Sequence, residues 1–150
     1  MFGVGAFDLF NSPILAVPAD LSESDSISDA IIHWLKTVCS NNSEAIVNLY
    51  AVDGVLLGTV AENIKFGRQE IASYFDMFVK KRPCGEITYM DIHDYGEVAV
   101  VNGNYTFELE DNGQRKKVPA RFTFVLKKVS GRWKICLLYT SDAADDLLCV

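Results

Sequence analysis

From residue 118 to 135, β-branched and aromatic side chains alternate with polar ones on either side of Ser130-Gly131, the pattern of two strands joined by a tight turn. Successive strand side chains point to opposite faces, so Phe122, Phe124 and Leu126 share one face and Arg121, Thr123 and Val125 the other. Similar runs at 86–93 and 97–110, bounded by Tyr95-Gly96 and Asp111-Asn112-Gly113, extend this hairpin into a meander, and a further strand starts at Arg132. The first half is spaced for helices instead. Ser26 and Asp29 form a capping pair ahead of a helix over 29–40, with Ile31, Leu35 and Val38 on one face and Trp34 beside them; Asn41-Asn42 stops it. A shorter helix over 43–50 buries Ile46, Leu49 and Tyr50, and Asp53-Gly54 leads into a short apolar strand over 55–57. A third helix over 68–81 carries Ile71, Phe75, Phe78 and Val79 on one face and ends before Pro83. Helices first and a meander afterwards predict an α+β fold, with helices covering one face of a curved, mostly antiparallel sheet.

Composition narrows the function. With 150 residues, 49% of them hydrophobic, the chain suits one domain with a single core. A net charge of −6 offers no electrostatic footprint for nucleic acid or anionic lipid, and the runs Lys80-Lys81-Arg82 and Arg115-Lys116-Lys117 read as solvated ends. No stretch is apolar for long enough to span a membrane. Residues 1–19 are apolar, but they lack a basic n-region and contain Asp8; they read as a flexible leader, joined by a polar linker to a domain over 28–135. Cys39, Cys84, Cys136 and Cys149 show no metal-ligand spacing, and His33 and His93 are isolated. The expectation is reduced thiols in a cytoplasmic protein with no metal and no cofactor. Gly-rich phosphate loops and kinase motifs are missing as well.

Four segments in order, Gly85-Glu86-Ile87, Gly103-Asn104-Tyr105-Thr106-Phe107, Val118-Pro119-Ala120-Arg121-Phe122-Thr123-Phe124 and Gly131-Arg132-Trp133-Lys134-Ile135, resemble the association domain of calcium/calmodulin-dependent protein kinase II and its stand-alone relatives in the SnoaL-like, NTF2-like superfamily. The resemblance covers about residues 28–135. It implies an NTF2-like cone whose sheet curls around the helices and leaves a pocket at its wide end. It also implies self-association. The family pattern continues with paired histidines and serines on the last strand. Here Cys136 to Asp146 reads Cys-Leu-Leu-Tyr-Thr-Ser-Asp-Ala-Ala-Asp-Asp, which resembles a conceptual translation of the transposon-end adapter used in sequencing libraries. Residues 136–150 are therefore expected to be a non-native tail; the alternative is a natural strand over 135–139 followed by a polar tail. Without its three aspartates the charge falls to −3.

Pocket arginines in the family make Arg121 the leading ligand-binding candidate. A buried guanidinium demands a carboxylate, supplied by a small ligand or by an internal acid such as Glu86 or Glu108, unless Arg121 lies on the outer face. Thr123 shares its face. Tyr105 would sit beside Arg121 in simple register, and Trp34, Tyr50 and Tyr74 read as core or pocket wall. Phe122, Phe124 and Leu126 would then face outward, where only a second copy would cover them, so a homo-oligomer is expected. An isomerase, cyclase or hydrolase of this superfamily would need a carboxylate base in an apolar pocket. The strand after the second helix offers none, and no catalytic residue is assigned. The sequence thus reads as a non-catalytic, oligomerising, ligand-binding module, with the enzyme as the alternative.

Overall fold

Ser26 caps the first helix: its hydroxyl accepts from the Asp29 N–H at 3.3 Å, filling one of the donors that a helix start leaves open. The computed structural model describes residues 26–59 and 61–142, so the expected leader and most of the linker lie outside the described residues, as do residues 143–150. Helix α1 (Ile27–Cys39) buries Ile31, Trp34, Leu35 and Val38. Asn41 takes a left-handed φ of 59°, and Asn42 caps α2 (Ser43–Val47) by accepting from the Ala45 N–H at 3.1 Å. This helix is shorter than its spacing suggests. Tyr50 already belongs to strand β1 (Tyr50–Leu57), paired with Ile135, and an irregularity between Tyr50 and Val55 takes up the Asp53-Gly54 bend.

Strand β2 (Lys65–Phe66) leads directly into α3 (Gly67–Phe78), which tightens into a 3-10 turn, Val79–Lys81, before Pro83. Arg68 ties α3 to β1 by donating from Nε and Nη2 to the Tyr50 carbonyl at 3.1 and 2.8 Å. Then come β3 (Cys84–Asp94), β4 (Val98–Asp111), β5 (Gln114–Val129) and β6 (Arg132–Asp142). The six strands form one sheet in the order β2-β1-β6-β5-β4-β3. Only β1 and β6 pair in parallel. Long central strands and helices on one face give the expected α+β cone, with α1 packed against β3 and α3 against β1.

Strand β6 runs without a break through Cys136 to Asp142, pairing with β5 on one side and β1 on the other. The segment expected to be a tail thus fills a central place in the sheet, burying Leu138 and Thr140.

Two expectations are overturned. Cys39 and Cys84 are disulfide-bonded, with Cα atoms 4.4 Å apart. The end of α1 meets the start of β3, a proximity that 45 residues of separation conceal. The expectation of reduced thiols fails for this pair, and Cys136 is the free cysteine among the described residues. The second correction is the orientation of β5. Phe122, Phe124 and Leu126 are 3%, 0% and 0% exposed, so they form the core rather than an outward interface. Gly103 lies opposite Phe122, and a Cβ there would come within 2.6 Å of the Phe122 ring. The missing side chain makes room for that ring on the concave face. Arg121 and Thr123 consequently belong to the outer face, Arg121 exposed and Thr123 half-buried.

Candidate functional site

The helices do not fill the cone to its end. A cavity of about 210 Å³ remains between Trp34 on α1, the Tyr74, Phe75 and Phe78 face of α3, and the concave side of the sheet. On the sheet side Tyr105, Phe107 and Leu109 of β4 line it, with Val118 and Ala120 of β5 and Leu138 and Thr140 of β6. The inward set recurs every second residue, as pleating requires. Leu56, Thr59, the exposed Lys81 and the half-buried Asp142 complete the lining. Six aromatic rings dominate the wall. Trp34 and Tyr105 stack with centroids 6.0 Å apart and planes 16° apart.

Most polar groups near the cavity are committed to one another. Tyr105 donates from its hydroxyl to Thr140 Oγ1 at 2.6 Å. The Trp34 indole N–H donates to the Tyr50 hydroxyl at 3.3 Å. Burial pushes the Tyr50 and Tyr105 hydroxyls well above the ordinary phenol range, and the bonds to Trp34 and Thr140 offset this only in part. Tyr74 is raised by burial to about 12. All three tyrosines are therefore neutral at physiological pH, able to hydrogen-bond but not to serve as bases.

The sequence candidates separate into two groups. Trp34 and Tyr105 line the cavity and Tyr74 joins them, while Tyr50 is fully buried behind Trp34. Arg121 and Thr123 lie on the far side of the sheet. Register pairs Arg121 with Asn104, not Tyr105, which faces Ala120. Arg121 lines a shallow polar cleft with Tyr89, Asn104 and Ser141. Beside it, Thr123 donates to Asn102 Oδ1 at 2.7 Å, and Asn102 donates to Asp91 at 3.4 Å. Asp91 also pairs with His93 at 2.9 Å, and these bonds hold its carboxyl below the usual range. Arg121 therefore has no access to the cone cavity. Thr140 and Asp142 were missed as lining residues because they lie in the segment read as a tail; their alternation with Leu138 was the available signal.

Residues 23–144 match the calcium/calmodulin dependent protein kinase II association domain family. The chain belongs to that family. A protein from Xanthomonas campestris, assigned to the same association-domain family, is 37% identical over 77% of this chain and 84% of its own, with a TM-score of 0.75. An NTF2-like protein with a cystatin-like fold from Novosphingobium aromaticivorans is 16% identical over 87% of this chain and 92% of its own, TM-score 0.68. An NTF2-like family member from Streptomyces avermitilis, described as a candidate dehydratase, is 12% identical over 81% and 96%, TM-score 0.72. At such identities the latter two establish the fold alone. No curated protein sequence matches the chain. Among the described residues no cluster of side chains could hold a metal ion, and no helix is long and apolar enough to cross a membrane.

Proposed function

We propose that this association-domain protein is a self-associating module whose cone cavity binds a small, largely apolar molecule. The observation that carries this reading is the cavity itself: about 210 Å³ of unfilled space among aromatic side chains. Empty apolar volume costs stability unless something occupies it. A plugging substitution tests the reading. Ala120→Leu adds volume at the cavity wall, and it should abolish any thermal stabilisation that a panel of one- and two-ring compounds gives the parent protein. Equal stabilisation of both proteins would sink the proposal.

Self-association would use the sheet's outer face. Exposed Tyr89 and Tyr139 lie there with half-buried Val100, Val125 and Leu137, a mixed surface of the kind that interfaces bury. In a two-fold pairing, a contact from one residue to another across the face is made twice, once in each direction. A second reading, a SnoaL-like isomerase, cyclase or hydrolase, is favoured by one observation, the Asp142 carboxylate in the cavity wall. Loss of a measured turnover in Asp142→Asn would support it.

A further inference from the structure

Of the three tyrosine hydroxyls around the cavity, that of Tyr74 alone has no hydrogen-bond partner among the described residues. Tyr105 has committed its proton to Thr140, and Tyr50 accepts from Trp34. Tyr74 lines the cavity, with its ring edge-on to Phe75 at 5.2 Å between centroids and stacked near Phe78 at 5.9 Å. Its place is prepared from the other side by Gly58, where a Cβ would lie 2.5 Å from Tyr74 Cε2 and 2.9 Å from its hydroxyl oxygen. A glycine without positive φ at this point is accounted for by the ring that passes over it. The result is a rigidly held phenol O–H at the wall of an apolar cavity.

We propose that Tyr74 is the ligand-anchoring residue, and that it donates its hydroxyl proton to the carbonyl oxygen of a flat, neutral molecule of one or two fused rings. This rests on the reading of the cavity as a ligand pocket and names the ligand's class. Size limits the rings: about 210 Å³ lies below the roughly 300–1,000 Å³ of pockets for drug-sized ligands. Flatness follows from the aromatic walls, six rings of which line the cavity and favour a ligand that can lie against them. Neutrality follows from desolvation. No arginine lines the cavity, its one cation, Lys81, is exposed and shares the lining with Asp142, and the rest is mainly apolar, so a carboxylate would lose its hydration with little in return. A carbonyl oxygen accepts the Tyr74 proton and brings no charge.

The test compares two probes of one shape, 1-indanone and indane, by titrating the protein's tryptophan fluorescence. The parent should prefer the ketone by about fivefold, the effect of one buried neutral hydrogen bond. Tyr74→Phe should bring the ratio to one with indane affinity unchanged, whereas Tyr89→Phe, on the outer face of the sheet, should leave the preference in place. Gly58→Ala, which keeps the hydroxyl but displaces the ring, should lose the preference as Tyr74→Phe does. A ketone preference that survives in Tyr74→Phe, that is lost in Tyr89→Phe, or that is absent from the parent overturns the assignment. Failure of both probes to bind the parent would overturn the pocket reading beneath it, a result distinct from binding without preference.

Discussion

Tyr105 on β4 reaches over β5 to donate a 2.6 Å hydrogen bond to Thr140 on β6. The strand between them carries Ala120 at the point of crossing, paired with Tyr105 on one side and Asp142 on the other. A larger residue there would fill the space that the hydroxyl needs. Tyr105 and Thr140 are 2% and 9% exposed, so water cannot readily replace either partner. Thr140→Val leaves the phenol unsatisfied and should cost about 1–3 kcal/mol, measured by urea denaturation against the parent.

The Cys39–Cys84 bond closes a long loop between the end of α1 and the start of β3. Cross-linking across that separation restricts the unfolded chain and stabilises the fold by about 2–4 kcal/mol. A Cys39→Ser, Cys84→Ser double variant should melt roughly 10 °C lower, and dithiothreitol should lower the parent's Tm but not the variant's. Such a bond persists in oxidising surroundings.

Tyr74 supplies a pH signature. Its folded pKa, raised by burial to about 12, exceeds the usual phenol value of about 10. A raised acid favours the protonated folded state, so its contribution to stability is intact below pH 10 and is lost as pH rises from there towards 12. Subtracting the Tyr74→Phe tyrosinate absorbance titration from the parent's should place one step near pH 12.

The reversed orientation of β5 separates core from interface by experiment. Phe124 contacts Trp34 edge-on at 5.1 Å and is fully buried. Phe124→Ala should therefore cost about 3–5 kcal/mol in a urea melt, with the unfolded fraction rising accordingly. Arg121→Glu, on the outer face, should leave the melt nearly unchanged and reduce the apparent mass in light scattering if that face pairs two copies.

Much of the architecture was legible because alternation and capping are local. Ser26, Asn42, Pro83 and the turns at Gly96, Gly113 and Gly131 mark the element ends. Parity is local too, but it does not say which set of residues faces the helices. Placing Arg121 inward followed the family resemblance, whereas hydropathy alone favours burying Phe122, Phe124 and Leu126. Gly103 held the information and becomes readable only once its register with Phe122 is known. The disulfide and the Tyr105–Thr140 bond were invisible for a similar reason: each joins residues 35 or more positions apart. The cavity depends on what three helices fail to fill, a property of packed volume rather than of any residue.

Genomic sequence beyond the Ile135 codon tests the adapter resemblance of Cys136 to Asp146. A different natural continuation is expected, with an apolar residue retained at the position opposite Phe124, since the concave face requires it.

Trp34 lines the cavity and Trp133 does not, which makes the two indole N–H resonances an internal comparison. Titrating 1-indanone into ¹⁵N-labelled protein should shift the Trp34 indole resonance saturably and leave that of Trp133 in place. A still Trp34 resonance, or equal movement of both, would contradict the claim that the cone is a ligand pocket.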